Sequence, residues 1–412
     1  MKHTDLLPHL FRTEYRKIAS VLCKNFGIDH IEAAEDIASE TFLAAYENWT
    51  YKGIPDYPTA WLYAVAKNKA KNYLNREKLF SEKIKAHVLA NGADRVKEDV
   101  EWSAENITDS QLQMLFAICR PSIPVDAQIG LALRILCGFG IEEIANAFLT
   151  NKETINKRLF RAKQKLRQEN VKIRFPDADE VDKRLDTVMT TLYLLFNEGY
   201  YSESNDEVLR EELCLEAMRL VLMLIENHKT NRPFINALMA LMCFHASRFP
   251  ARKNQMGELI LYDNQDVSLW NQELIAKGVY YLHLASVGNS LSRYHLEAGI
   301  AYWHTQKPDS AVKWKNILKL YDHLLEIADM PIAALNRILA LSKVSGKEAA
   351  IVQAESLKLE ANPYYHRLLG ELYIDVDLKK ARSNLEKALD YARTAKDKQI
   401  IAQRILSVEK EG

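Results

Sequence analysis

One stretch of the sequence, residues 126–168, limits the possible folds more than any other, because it predicts three consecutive helices with short connections. A leucine-rich helix ends at Gly138 and Gly140, which favour helix termination. A short amphipathic helix follows, and a turn of three residues leads to a third helix. Residues 150–153 have capping-box spacing, so the third helix should begin at about Asn151. This pattern is typical of a helix-turn-helix.

The third helix is strongly basic. Between positions 152 and 167 it carries seven Lys and Arg residues, and Glu153 is the single acidic residue. In helix-turn-helix proteins the N-terminal part of this helix enters the major groove of DNA. A solvated basic helix without a ligand is the alternative interpretation. The side chains predicted to contact DNA here are Lys152, Thr154, Asn156, Lys157, Arg158, Arg161 and Lys165.

An earlier helix, predicted over residues 31–49, has two different faces. Alanines and aromatic residues form one stripe at three- and four-residue spacing, and acidic residues lie on the opposite side. No Lys or Arg interrupts this acidic strip, which makes a surface that docks on a basic partner as good an interpretation as an ordinary solvated face. The strip consists of Glu32, Asp36, Glu40 and Glu47.

The next predicted helix begins near Thr59, which is placed to cap it. Residues 61–85 contain seven basic and two acidic side chains, a balance suited to contact with phosphates. A ridge of basic and amide residues recurs at three- and four-residue spacing, although an ordinary solvated helix is an equally good interpretation of this segment alone. The ridge is formed by Lys67, Asn68, Lys71, Asn72 and Arg76.

The composition points to an all-α protein of two or three domains. The 412 residues include only 14 glycines and 11 prolines, too few for the many turns of a β-sandwich. Because 55 basic residues balance 55 acidic ones, only local charge can attract DNA. Five widely spaced cysteines form neither a disulfide framework nor a CxxC pair, which fits a reducing cytoplasm. No segment has the length and apolarity of a signal peptide or a membrane span.

Common catalytic patterns are absent from the sequence, including the dinucleotide-binding GxGxxG, the P-loop, the metalloprotease HExxH and the nucleophile elbow GxSxG. No catalytic residue, metal or cofactor is therefore expected. The best remaining constellation is Glu198, Glu212 and Glu216, of which the last two are one helical turn apart, as carboxylate ligands of a metal would be. A solvated acidic face is the favoured interpretation of these residues.

The sequence from residue 178 onward is also helical but differs in charge. Between residues 203 and 216 six acidic residues accompany Arg210 alone, so DNA contact is not expected. Two later segments have the small-residue and aromatic spacing of tetratricopeptide helix pairs, which predicts a helical-hairpin array, with an irregular helical domain as the alternative. The two sets are Ala298, Gly299, Tyr302 and Ala311, and Leu369, Gly370, Tyr373, Ala381, Leu385 and Ala388.

In this order, the segments resemble the extracytoplasmic-function sigma factors of bacterial RNA polymerase, in the subgroup with a large tetratricopeptide-like C-terminal extension. Asn72, Asn75 and Ser39 depart from the residues usual in such proteins. The matching residues are Ala34-Glu35-Asp36 with Glu40-Thr41-Phe42, Trp61-Leu62 with Ala66-x-Asn68, Glu143-Ile144-Ala145 with Thr154, Arg158 and Arg161-Ala162-Lys163, and residues 192–200 followed by Glu212, Cys214 and Glu216-Ala217.

The resemblance implies a fold of two small helical sigma modules followed by a helical-hairpin domain. It also implies the following boundaries: sigma region two at residues 1–90, an acidic linker at 91–112, the region-four helix-turn-helix at 113–175, and a tetratricopeptide-like regulatory domain at 178–412. In such a protein the acidic strip docks on the clamp helices of the largest polymerase subunit, and the flap is a further contact. Region two opens promoter DNA at the minus-ten element and region four reads the minus-thirty-five element. The sigma protein itself catalyses nothing.

Two other classes of function remain open at this point. One is a helix-turn-helix regulator with a tetratricopeptide-like interaction domain that does not bind core polymerase, although such a regulator has no use for the acidic strip. The other is a scaffold or carboxylate-metal enzyme centred on residues 190–412. A signalling protein is a candidate partner of the C-terminal domain, and no membrane is expected as a partner.

Overall fold

The computed structural model describes residues 3–85, 100–201, 207–252, 260, 262–288, 290–307, 309–392 and 395–411. All regular elements in these ranges are helices, so the predicted all-α class is confirmed. None of the helices in the described ranges combines the length and apolarity needed to span a membrane.

The chain divides into two compact units, Met1–Asn231 and Arg232–Gly412. The N-terminal unit contains nine α-helices in its described ranges, with a short 3-10 helix at Ile28–His30 and a π-helical turn at Ala132–Leu136. The α-helices are α1 (His3–Phe26), α2 (Ile31–Lys52), α3 (Pro58–Lys85), α4 (Ala104–Ile118), α5 (Val125–Leu131), α6 (Ile141–Ala147), α7 (Lys152–Gln168), α8 (Ala178–Tyr201) and α9 (Glu207–Glu226).

Helix α1 lies at the centre of the N-terminal unit, because it packs against α2, α3, α4 and the π-helical turn. Its side chains Tyr15, Ile18 and Leu22 are fully buried. The stripe predicted on the next helix is confirmed as the buried face of α2, from Ala34 to Trp49. The indole rings of Trp49 and Trp61 then join α2 to α3 in an edge-to-face contact at 5.4 Å between centroids.

The predicted acidic linker differs from the structure. Residues 91–99 of that linker lie outside the described residues, but residues 104–112 form the first half of α4. The Ser103 hydroxyl accepts a hydrogen bond from the Asn106 amide at 3.2 Å, which caps the helix. Ile107 and Leu112 are buried, so this half of α4 contributes to the core. The sequence suggested a linker because most of the other residues in this segment are polar.

The predicted domain boundary at residue 178 also falls inside a compact unit, since α8 and α9 belong to the N-terminal unit. The hydroxyl of Thr191 on α8 donates to the Gln128 side chain of α5 at 2.6 Å, and both residues are buried. The Arg184 guanidinium donates to the backbone carbonyls of Phe116 and Cys119 at the end of α4. A cation is favourable at a helix C-terminus, so Arg184 fixes α8 to the end of α4.

The C-terminal unit consists of successive helices, and the described connections after α11 are short. In the described residues between its first two α-helices there are three 3-10 helices, at Phe249–Ala251, Tyr262–Asn264 and Val267–Leu269. Its α-helices are α10 (Pro233–Ala246), α11 (Gln272–Ala285), α12 (Arg293–Thr305), α13 (Ala311–Ile327), α14 (Pro331–Ser345), α15 (Lys347–Ser356), α16 (Pro363–Tyr373), α17 (Leu378–Tyr391) and α18 (Ala395–Glu411).

The two segments with tetratricopeptide-like spacing lie in the helix pairs α12–α13 and α16–α17. Within each pair the two helices pack against each other. At Gly370 the helices approach so closely that a Cβ atom would lie 2.7 Å from Leu385 Cγ. The small residues Ala381 and Ala388 are buried as their spacing predicts, whereas Ala311 is exposed at the start of α13. The assignment as a tetratricopeptide-like array stays a prediction.

Candidate functional site

Helices α6 and α7 are joined by a tight turn. The Glu143 carboxylate accepts a hydrogen bond from the Gly140 amide at 2.6 Å and so closes the N-terminus of α6. In the turn, Leu149 has a positive φ of 48°, an uncommon conformation for a bulky residue. The predicted start of the next helix is confirmed, because the Asn151 side chain caps α7 by accepting from the Thr154 amide at 2.8 Å.

Helix α7 has a buried face and an exposed face. The stripe predicted to be its core is confirmed, and Ile155, Leu159, Ala162 and Leu166 are buried. Most of the predicted DNA contacts are on the exposed face, where Lys157 pairs with Glu153 at 2.6 Å. Exposed ion pairs contribute only about 0–1 kcal/mol, so phosphates can replace them. The predicted residues that are exposed are Lys152, Thr154, Asn156, Lys157, Arg161 and Lys165.

Arg158, the seventh of the predicted DNA contacts, is placed differently. Its guanidinium lies over the ring of Phe148 at 5.2 Å from the centroid and 3.7 Å from Asp126 Oδ2. Only 27% of its side chain is exposed, and its Nη1 atom is buried without a hydrogen bond. To reach a base edge, Arg158 must therefore leave Phe148 and Asp126.

The predicted ridge on α3 forms one exposed surface. The side chains of Lys67, Asn68, Lys71, Asn72 and Arg76 are all exposed. Two tyrosines near the junction of α2 and α3 are on the solvent side, Tyr51 in the last turn of α2 at 89% exposure and Tyr57 just before α3 at 79%. Exposed aromatic rings beside a basic ridge are suited to stacking on unpaired bases.

The acidic strip on α2 is exposed over most of its length. Asp36, Glu40 and Glu47 are accessible, and Glu40 forms an ion pair with Lys69 at 2.7 Å. Two apolar side chains, Leu43 at 57% exposure and Tyr46 at 61%, lie among these carboxylates. A helix face that combines acidic groups with exposed apolar groups can bind a basic protein surface and bury apolar area in the same contact.

Glu32, at the start of the strip, is bound within the chain. Its carboxylate accepts a hydrogen bond from Arg167 on α7. Next to it, Glu35 is buried and receives two cations, Lys163 of α7 and Arg134 at 3.1 Å. Helices α2 and α7 are therefore joined by a cluster of ion pairs. Sequence periodicity missed this cluster because the paired residues are separated by more than 90 positions.

A second group of ion pairs joins α1 to α9. Arg12 Nη2 lies 2.7 Å from Glu143 Oε1 and 2.9 Å from Glu212 Oε2, and Arg16 pairs with Glu216. The carboxylates considered as metal ligands are thus bound to arginines. Within the described residues, no group of three or more His, Cys, Asp or Glu side chains could hold a metal ion. Burial raises the pKa of the third of these carboxyls, Glu198, and the charge of Asp126 raises it further.

Two protein families match parts of the chain. The Sigma-70 region 2 family matches residues 10–80, which run from α1 through most of α3. A family of unknown function (DUF6596) matches residues 184–286, which run from α8 to the end of α11. The acidic strip on α2 and the ridge on α3 both lie in the first match. No solved structure matches the chain significantly.

Several sequence relatives match about a third of the chain. The ECF RNA polymerase sigma-E factor of Escherichia coli (strain K12) is 31% identical over 135 residues, which are 31% of this chain and 69% of the relative. The ECF RNA polymerase sigma-E factor of Haemophilus influenzae is 27% identical over 154 residues, which are 36% of this chain and 78% of the relative.

A longer similarity extends through the C-terminal unit. An uncharacterized protein of Rhizobium meliloti (strain 1021) is 31% identical over 382 residues, which are 91% of this chain and 90% of the relative. The sigma-E factors match about a third of this chain, and the Sigma-70 region 2 family places the sigma similarity at residues 10–80. The chain therefore belongs to the extracytoplasmic-function sigma factors and carries a large C-terminal extension.

Proposed function

We propose that this protein directs core RNA polymerase to specific promoters and initiates transcription there, without a catalytic residue of its own. The observation that carries the proposal is that one side of α2 presents an acidic and apolar face while α3 and α7 present separate basic faces. A repressor or activator that reads DNA alone needs only the basic faces.

The proposed polymerase contact is the exposed part of the strip on α2. Asp36, Glu40 and Glu47 would approach the basic clamp helices of the largest subunit, and Leu43 and Tyr46 would become buried in the contact. Glu32 would join them only after it separates from Arg167. A contact of region four with the polymerase flap is also part of the proposal, and it rests on the family resemblance alone.

Promoter binding is assigned to two surfaces. The ridge on α3 would neutralise phosphates near the minus-ten element, and Tyr51 and Tyr57 would stack on bases of the opened strand. The exposed face of α7 would enter the major groove at the minus-thirty-five element. The exposed Lys157 and Arg161 are assigned to phosphates, and Arg158 is assigned to a base that it would reach after leaving Phe148.

The C-terminal extension is proposed to regulate this sigma module, and a signalling protein is the partner we propose for it. Supporting this, the extension does not begin as a separate body, because α8 and α9 are part of the compact N-terminal unit. A change in the extension can thus be transmitted directly to the modules that bind polymerase and DNA.

In vitro transcription with purified core polymerase and the full-length protein, followed by promoter mapping, tests the proposed function. The variant Asp36→Lys/Glu40→Lys should lose core binding and transcription. A matched control is Asp182→Lys/Asp186→Lys, which reverses two exposed acidic residues at the same spacing on α8. Surface ion pairs are individually worth about 0–1 kcal/mol, so two reversals are used together.

Three outcomes are informative. Loss of core binding in the α2 variant but not in the α8 variant supports the docking assignment. Equal core affinity in both variants contradicts that assignment. Sequence-specific DNA binding without any core binding by the unmodified protein favours the alternative, a helix-turn-helix regulator with an interaction domain.

A further inference from the structure

The two modules that would bind the promoter are in direct contact in this structure. The buried Glu35 on α2 receives Lys163 of α7 and Arg134, which precedes α6, and Glu32 on α2 binds Arg167. Lys163 and Arg167 lie on a different face of α7 from the exposed Lys157 and Arg161. The contact therefore covers the N-terminal end of the acidic strip on α2. The face of α7 that carries Lys157 and Arg161 remains exposed.

This contact is incompatible with simultaneous reading of both promoter elements. Elements at minus ten and minus thirty-five are separated by about 25 base pairs, or about 85 Å at 3.4 Å per base pair. Helices α2 and α7 are instead joined by side chains within hydrogen-bond distance. The two modules must separate before the protein can act as proposed.

Helix α9 is bonded to both modules. On the region-two side, Glu216 pairs with Arg16 of α1, and the two side chains are only 13% and 12% exposed. On the region-four side, Arg219 of α9 donates through Nη2 to the carbonyl of Leu136 at 2.6 Å. Arg219 also donates to Glu216 at 2.7 Å, so a continuous hydrogen-bonded chain runs from α1 through α9 to the segment before α6.

Arg12 forms a second bridge of the same kind. Its Nη2 atom on α1 contacts Glu143 of α6 at 2.7 Å and Glu212 of α9 at 2.9 Å. Each of the three helices thus contributes one charged group to a single junction. Glu212 and Glu216 are one turn apart on α9, so both bridges lie on the same side of that helix.

We propose that α9 is a built-in clasp that holds the region-two and region-four modules together in the free protein, and that core polymerase binds with full affinity only after the clasp is released. The inference rests on the proposed function, because it gives the closed arrangement a consequence for polymerase. Since α9 is part of the same chain, the clasp acts at a high effective concentration, and individually weak ion pairs suffice. The closed state and polymerase compete, so weakening the clasp strengthens polymerase binding.

The test measures closure without polymerase or DNA. Spin labels at Ala64→Cys on α3 and Gln164→Cys on α7 report the distance between the modules by pulsed electron resonance. Both positions are exposed, while all five native cysteines are buried, so labelling is selective. The labelled chain is compared with Arg16→Glu, Glu216→Arg and the exchanged pair Arg16→Glu/Glu216→Arg.

The unmodified protein should give one short distance, and each single reversal should add a population at longer distance. The exchanged pair should restore the short distance, a result that general destabilisation does not produce. The affinity for core polymerase, measured separately, should rise about tenfold in each single reversal, a change within the range usual for coupled equilibria. In the exchanged pair the affinity should return to that of the unmodified protein. If Arg16→Glu does not fold, Arg219→Gln replaces it, because that change removes only the bonds of Arg219 to Glu216, Met223 and Leu136.

Unchanged distances in all reversals would overturn the clasp. Opened modules with unchanged core affinity would overturn the second half of the proposal, that closure limits polymerase binding. If the modules open as expected but neither the unmodified protein nor any variant binds core polymerase, the proposed function fails while the clasp itself stands. The two failures are therefore distinguishable.

Discussion

Glu35 of α2 and Lys163 of α7 form an ion pair that is almost completely shielded from solvent, with 8% and 10% of the two side chains exposed. Arg134 donates to the other carboxylate oxygen at 3.1 Å, so a single buried carboxylate pairs with two cations. The neighbouring Cys23 is fully buried, and its thiol pKa is raised by burial and further by the charge of Glu35. This cluster is the electrostatic centre of the contact between the two modules.

Removing Glu35 should therefore destabilise the protein strongly. Glu35→Ala leaves two buried or partly buried cations without their carboxylate, and such a change typically costs about 3–5 kcal/mol of unfolding free energy. The matched change Glu40→Ala, on the same helix, breaks the more exposed pair with Lys69 and should cost at most about 1 kcal/mol. Chemical denaturation of both variants measures the difference. Equal costs would mean that the cluster around Glu35 does not stabilise the fold.

The DNA contacts of α7 should separate into two kinds. Lys157→Ala and Arg161→Ala each remove an exposed cation, so each should weaken binding to all sequences and lower the salt slope by about one unit. Arg158→Ala should cost about 1–3 kcal/mol and relax the preference at one promoter position. These effects are measured with polymerase holoenzyme on promoter variants over a series of salt concentrations.

Lys379→Ala, an exposed lysine on α17 in the C-terminal unit, serves as the control. If Arg158→Ala weakens all promoter sequences equally, its packing on Phe148 is its main role and the base-reading assignment is wrong. If none of the three α7 variants alters promoter affinity or its salt dependence, α7 does not read DNA.

Residue spacing within a helix predicted the helices and their buried faces, but it did not predict which helices contact each other. The buried stripe of α2 and the cap at Asn151 follow from residue spacing within one helix, and the structure contains both. The pairing of Glu35 with Lys163 joins residues 128 positions apart, and no periodicity within a helix encodes such a partner. Glu212 and Glu216 likewise read as a solvated acidic face, because their arginine partners on α1 are 200 positions away.

The C-terminal unit should lose stability in acid through His304. The ring of this residue lies edge-on to Tyr262 at 5.1 Å and to Trp314 at 6.0 Å, and its Nδ1 atom is buried without a hydrogen bond. Burial and the charges of Arg248 and Lys313 lower the pKa of His304 to about 3. The unfolded chain binds the proton near pH 6.5, whereas the folded chain does not. The unfolding free energy should therefore fall as the pH decreases from about 6.5 towards 3, by up to about 1.4 kcal/mol per pH unit.

His304→Gln should reduce this slope, because the variant has no proton to bind at that position. His283→Gln, which changes an exposed histidine on α11, should leave the slope unchanged. Denaturant unfolding at pH values between 4.5 and 7 gives the comparison. A slope that is the same in the unmodified protein and in His304→Gln would show that this ring does not remain neutral in the folded state.

The two glycines with tetratricopeptide-like spacing should respond differently to alanine. At Gly370 the new Cβ would lie 2.7 Å from Cγ of the fully buried Leu385 and 3.3 Å from the Ala381 carbonyl, so α16 and α17 must move apart. Overpacking of this kind costs about 1–3 kcal/mol and exceeds the gain in helix propensity, about 1 kcal/mol. At Gly299 the nearest atom is Leu320 Cδ1 at 3.1 Å, the end of a partly exposed side chain that can shift.

Gly370→Ala should therefore lower the unfolding free energy by about 1–2 kcal/mol, whereas Gly299→Ala should be neutral or slightly stabilising. Thermal and denaturant unfolding of the two variants, each against the unmodified chain, measures both effects. The reverse order would mean that α12 and α13 make the tighter contact. The close approach at Gly370 would then not be what requires glycine in this pair of helices, and the small-residue spacing would lose its physical basis there.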